Sequence, residues 1–257
     1  MTVRWTYAFV DRPAPRFPEA VAFWAAVTGT RPSGPRGERG EFTTLVPDGG
    51  ADACLKVQAL DRGEADGGSG GVHLDLAVED VGAFTAVAVA AGAVCVAGHA
   101  GWAVLRSPGG QMFCAVPWHG ETVRPPVVDG CRADQVCLGS GPSAYDAEVV
   151  FWTRLTGWAS VAGSRPEFHV LQSPPRSPAR ILLQRFDDEG PAVAHLDLAC
   201  ADRTAARARH EELGASHVAT GPRWTVMRDP AGGVYCLTDR DPQTGILPGV
   251  RSRPRLP

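Results

Sequence analysis

The chain repeats itself. His73 opens the run HLDLA, and the same five letters return at His195, 122 residues later. From His73 to Cys114 and from His195 to Cys236 the two stretches align without a gap, with 18 of 42 positions identical. Identity of that density over so long a span marks a duplicated structural unit, so any fold for this chain must use one design twice. Matched positions include Asp80 with Asp202, Gly92 with Gly214, Trp102 with Trp224, Arg106 with Arg228 and Pro108 with Pro230. Upstream, FWAAVTG (23–29) answers FWTRLTG (151–157), and Gln58 answers Gln184. The proline-rich VRPPVVDG between the copies reads as a linker. The expected organisation is a first domain over 1–118, a linker over 119–131, a second domain over 132–239 and a loosely packed or disordered Pro/Arg-rich tail over 240–257.

Each copy carries the same order of elements. VHLDLAV alternates with period two and predicts a strand. Asp80, or Asp202, then stands as a helix N-cap, and Gly92, or Gly214, ends that helix. AVCVA, WAVLR and MFCAV predict three further strands, the last two joined by the turn SPGGQ. The opening part of each copy fits the same plan. WTYAFV predicts a strand, and Pro18 suits the first turn of a helix. Val21, Trp24 and Val27 line one face of that helix, and EFTTLV and ACLKVQA predict strands. The whole chain reads as four βαβββ modules, an α+β architecture.

Composition narrows the function classes. A net charge of −3 offers no field for nucleic acid or an anionic membrane. The first residues, MTVRWTYAFVDRP, lack a signal-peptide pattern. AVAVAAGAVCVAG is the most membrane-like run, but its counterpart ARARHEELGASHVAT is strongly polar, so both predict a helix followed by a strand. Seven cysteines without a CxxC predict reduced thiols and a cytoplasmic protein. Of 25 basic residues only Lys56 is lysine, a codon-usage signature of a GC-rich genome such as an actinobacterium's. GGSGG before His73 leads into a strand and reads as a flexible connector, not a phosphate loop.

The ordered set of FW…TG, HLDL, a lone Trp strand and a D/SP-G hairpin ending in cysteine, present twice over residues 3–118 and 132–239, resembles the vicinal-oxygen-chelate superfamily. That superfamily includes glyoxalase I, bleomycin-resistance proteins and extradiol dioxygenases, and the nearest likeness is its glyoxalase-like subgroup. The resemblance implies two domains, each a curved mixed sheet around a cleft with helices outside. It implies either small-molecule chemistry of isomerase, lyase or oxygenase type, in detoxification or secondary metabolism, or a non-catalytic drug-sequestering binder. It also implies ligand positions at Gln58, His73 and Cys114 in the first domain and at Gln184, His195 and Cys236 in the second. A fourth position falls on each opening strand, near 4–7 and 132–137, without a fixed register.

Strand alternation places His73 with Asp75, and His195 with Asp197, on the face opposite their leucines. These four residues are the candidate acid–base groups. Trp102, Arg106, Trp224 and Arg228 are candidates for binding a planar, anionic ligand. Cysteine stands where metal-dependent relatives carry glutamate. A divalent metal (Zn, Fe, Ni or Mn) is therefore less expected than none, although a histidine–thiolate set suits zinc. The bland reading is a satisfied polar His–Asp pair beside buried, packing cysteines. His99, His119, His169, His210 and His217 lack partners across the copies and read as surface or loop residues. The expected partner is a small molecule, bound by a monomer with pseudo-dimeric domains or by a homodimer. Whether modules pair within or across the halves stays open.

Overall fold

The computed structural model describes residues 2–61, 71–163 and 165–249. The GGSGG connector and the last eight residues of the tail lie outside them, apart from Gly71. The first half contains β1 (Trp5–Pro13), α1 (Phe17–Thr28), β2 (Thr30–Pro32), β3 (Phe42–Pro47), β4 (Leu55–Leu60), β5 (Val72–Val78), α2 (Val81–Ala90), β6 (Val94–His99), β7 (Trp102–Arg106) and β8 (Met112–Pro117). The second half repeats this as β9 (Cys131–Ser140), α3 (Pro142–Thr156), β10 (Ala159–Ala162), β11 (Phe168–Gln172), β12 (Arg180–Arg185), β13 (Val193–Cys200), α4 (Arg203–Glu212), β14 (Ser216–Thr220), β15 (Trp224–Arg228) and β16 (Val234–Thr238). The expected βαβββ order holds in all four modules.

Local chemistry sets the helix ends. Asp80 accepts from the Ala83 amide, and Asp202 accepts from the amides of Thr204 and Ala205, which satisfies first-turn donors of α2 and α4. Gly29 and Gly157 end α1 and α3 in the left-handed region, at φ of 58° and 68°, where a side chain would be strained. Among the described residues no helix is long and apolar enough to cross a membrane.

Each half forms one mixed eight-stranded sheet, in the order β2-β3-β4-β1-β5-β8-β7-β6 and its equivalent β10-β11-β12-β9-β13-β16-β15-β14. The opening strands of the two modules join it, β1 antiparallel to β5 and β9 antiparallel to β13. Modules therefore pair within a half, and Gln58 shares a sheet with His73, not with His195. Leu74, Leu76, Leu105 and Phe113 point to the helix side and are fully buried. On the other face His73, Trp102, Val104 and Met112 stay half-exposed.

The helix sides of the two sheets are also where the halves meet, over one shared core. Helix α1 packs Phe23 and Trp24 against Tyr235 of β16. Helix α3 packs Trp152 and Phe151 against Phe113 of β8. Each half thus lends its first helix to the other. At one contact the indole of Trp24 donates to Asp229 at 3.0 Å, and Asp229 pairs with Arg12 at 2.5 Å. At the other the indole of Trp152 donates to Glu148 at 2.8 Å, and Ser107 donates to the same carboxylate at 2.9 Å. The repeat aligns Asp229 with Ser107, so the buried carboxylate sits on the hairpin at one contact and on the helix at the other.

The described part of the tail is largely exposed and takes hydrogen bonds from Arg132, Arg180 and Arg223 on the carbonyls of Gln243, Thr244 and Pro248. One expectation needs correction. His210 is buried rather than on the surface, with its Nδ1 2.8 Å from the Tyr235 hydroxyl, and that bond satisfies the burial.

Candidate active-site clefts

The open face of each sheet brings together one histidine, one aspartate and one cysteine. His73, Asp75 and Cys114 form the first cluster and His195, Asp197 and Cys236 the second, with one donor atom from each residue lying within 4.8 Å of the others. The strand registers explain this. Asp75 lies directly opposite Cys114 on the parallel neighbour β8, as Asp197 lies opposite Cys236 on β16. His73 lies opposite Phe9 and His195 opposite Cys137, which fixes the register of the opening strands.

The first cleft holds a ladder of alternating charge. The Nδ1 of His73 is 2.7 Å from Asp11, and its Nε2 is 3.6 Å from Asp75. The other Asp75 oxygen takes the ammonium of Lys56 at 3.1 Å. Lys56 also sits over the rings of Tyr7 and Phe9, at 3.8 and 4.9 Å from their centroids. Phe9 stacks on His73 with centroids 4.8 Å apart, which locks the imidazole plane. Burial alone would lower the His73 pKa. The charge and hydrogen bond of Asp11, with help from Cys114, outweigh it and hold the imidazole well above its usual range. Burial pushes the Cys114 thiol up. Asp75 Oδ1 and Asp11 Oδ1 are buried and lack a hydrogen-bond partner. Beneath the cleft, burial and the hydrogen bond to Glu121 raise Tyr7 and keep its hydroxyl protonated.

The second cleft keeps the cluster and changes its neighbours. Leu182 occupies the register of Lys56, and Gly139 that of Asp11. Phe186 fills the space above Gly139, where an added Cβ would meet its ring at 2.1 Å. Gln135 donates to Asp197 at 2.5 Å, and the Nε2 of His195 is 3.2 Å from the other Asp197 oxygen. Cys137 donates to Gln184 at 3.4 Å. Burial raises the thiols of Cys137 and Cys236. Asp197 Oδ1, like Asp75 Oδ1, is buried and faces its cluster histidine.

The remaining sequence candidates fall around these clusters. Gln58 stands beside Asp11 across the β1–β4 ladder, one row from His73. Trp102 lines the open face and stacks on His99 at 3.9 Å, and His99, at the end of β6, is exposed as expected. His169, on β11, bonds the Tyr145 hydroxyl. Trp224 meets Phe168 edge-on at 6.2 Å. Arg106 and Arg228 are exposed at the rim, and Arg228 donates to Gly232 within its own hairpin. Asp11 and Lys56 escaped the sequence reading, whereas Cys137 lies at the end of the range 132–137 expected for the fourth position of its domain. The one available signal was that Lys56 is the sole lysine of the chain.

The family of glyoxalase-like domains matches residues 7–116 and 135–238, once in each half. No curated protein matches the chain. Among solved structures, a variant of 4-hydroxymandelate synthase from Streptomyces coelicolor superposes with a TM-score of 0.61 at 12% identity, covering 92% of this chain and 91% of that one. The Mn(II)-bound glyoxalase from Novosphingobium aromaticivorans gives 0.60 at 19% identity over 90% of this chain and 80% of its own. The 2,3-dioxygenase LapB from Pseudomonas sp. KL28 gives 0.58 at 14% identity over 90% of each. At these identities the likeness is one of fold.

Proposed function

The chain belongs to the glyoxalase-like domain family, and from that membership we propose that it is an enzyme that transforms a small organic molecule in its first cleft by acid–base chemistry. The observation that carries this reading is the Asp11–His73–Asp75–Lys56 ladder. Asp11 fixes one imidazole nitrogen and favours the charged ring, so the Nε2 proton of His73 is the acid. The Asp75 oxygen that faces it at 3.6 Å, beyond hydrogen-bond distance, is the base. Lys56 steadies that carboxylate as the proton moves. An acid and a base side by side on one open face suit proton transfer between neighbouring atoms of an enolisable carbonyl compound, an isomerase or lyase reaction. Trp102 supplies a half-exposed aromatic wall, and Arg106 supplies a rim cation for a carboxylate on the ligand.

A divalent metal fits the two clefts unequally. In the first, the Lys56 ammonium already neutralises Asp75 and competes with any cation. In the second, Leu182 replaces that lysine, and Asp197 joins His195, Cys236 and Cys137 in a nitrogen–oxygen–sulfur donor set suited to zinc. Bound there, zinc would act as a Lewis acid on a ligand oxygen. No step proposed for the first cleft depends on it.

The test is solvent proton exchange. A panel of small 2-oxo and 2-hydroxycarbonyl compounds is incubated with the protein in D₂O and followed by NMR. Deuterium incorporation that disappears in His73→Gln and in Asp75→Asn supports the enzyme. A ligand that binds, is recovered unchanged, and is lost on Trp102→Ala or Trp224→Ala instead supports the sequestering binder.

A further inference from the structure

Cys131 and Cys200 face each other near the end of the β9–β13 pair, with their Sγ atoms 3.1 Å apart. The Ala201 amide donates to the Gly130 carbonyl one step along the ladder. The cysteines therefore occupy a non-hydrogen-bonded position, where opposed side chains of antiparallel strands lie closest. The sulfurs stand only about 1 Å beyond the bonded distance of a disulfide. Both thiols are buried. Cys131 nevertheless lines a small cavity of about 20 Å³, room for one water-sized molecule, together with Arg132 and with Pro125 and Pro126 of the linker. Of the two thiols, Cys131 is the one that lines this space.

We propose that Cys131 and Cys200 form a peroxide-sensitive thiol pair that closes to a disulfide across the β9–β13 ladder. Cys200 donates its S–H to Cys131. That bond lowers the acid range of Cys131 in spite of burial and raises that of Cys200, so Cys131 is the attacking sulfur and Cys200 the resolving one. The Cys131 thiolate attacks one peroxide oxygen, the O–O bond breaks, and hydroxide leaves, giving a sulfenic acid. The Cys200 sulfur then displaces the hydroxyl as its own proton goes to the leaving oxygen, giving the disulfide and water. The pair loses two electrons and the peroxide gains them. The hairpin contact at Asp229 and the two His–Asp–Cys clusters take no part.

The experiment is thiol titration of the full chain after brief exposure to hydrogen peroxide under native conditions, then unfolding. Seven free thiols are expected to become five, with one disulfide-linked peptide joining Cys131 to Cys200 and full recovery in dithiothreitol. Cys200→Ser is expected to leave a sulfenic acid on Cys131 that dimedone captures. Loss of the exposed Cys95 alone, a disulfide joining any other pair, or seven intact thiols would each overturn the proposal.

Discussion

Asp229→Ala probes the contact that joins the halves. The Asp229 carboxylate accepts from Arg12 Nε at 2.8 Å and Nη2 at 2.5 Å, from the Trp24 indole at 3.0 Å and from the Gly233 amide at 3.0 Å. The Arg12 and Asp229 side chains are 2% and 0% exposed. Truncation leaves the guanidinium in place without its counter-charge. Its Nη1 keeps the carbonyls of Asp11 and Gly71, but Nε and Nη2 lose their acceptor. Breaking a buried pair in this way costs about 3–5 kcal/mol. That is a large share of the ~5–15 kcal/mol that holds a folded protein together. For a chain of this size the melting temperature should fall by about 6–20 °C. Urea unfolding with a double-mutant cycle checks the cause: Arg12→Met combined with Asp229→Ala should restore much of the loss, because no charge is then buried alone. A loss below about 1 kcal/mol for Asp229→Ala, or strict additivity in the double variant, would refute the pairing as a source of stability.

Other outcomes follow from the same physics. Burial, with the Arg209 charge adding, pushes the His210 pKa down to about 4. The unfolded imidazole takes its proton near ~6.5, so this contribution is present above that pH and is lost as the pH falls towards the folded value; His210→Gln should flatten urea stability measured from neutral down to mildly acidic pH. Isothermal titration with zinc at neutral pH should show uptake by the native chain that Cys236→Ser abolishes and Cys114→Ser leaves intact; uptake lost only with Cys114→Ser would reverse the assignment of clefts. Once a turned-over compound is known, His73→Gln should slow turnover by about 10²–10⁴-fold. Asp11→Asn should move the alkaline limb of the pH–rate profile to lower pH, since the imidazolium loses its counter-charge; an unmoved limb would remove His73 as the acid.

Most of the architecture was legible because the duplication lets each copy check the other. HLDLA alternates cleanly, so the facing of His73 and Asp75 followed from period two alone. The opening strand resisted that reading. In Trp5–Pro13 only the last residue is exposed, so both faces carry bulky groups and no alternation marks which residue meets the histidine. Asp11 looked like an ordinary strand-end acid for that reason. Lys56 was conspicuous by number, but codon usage accounts for arginine in general and not for where the one lysine stands. Arg12 and Asp229 are 217 positions apart, and nothing local to either announces the pairing. His210 misled because a polar helix pattern conceals a ring whose single hydrogen bond makes burial tolerable.

The migrated carboxylate also decides which pieces of this chain can assemble. Two copies of the first half, joined as the halves are here, would set Arg12 and Trp24 against Ser107, leaving a buried cation with no acid at both contacts. Two copies of the second half would bring Glu148 of one to Asp229 of the other, with Ser140 where Arg12 stands, leaving two acids and no cation. Each half is matched to the other and mismatched to itself. Either half paired with its own copy buries unmatched charge, so the two clefts are bound to travel in a single chain.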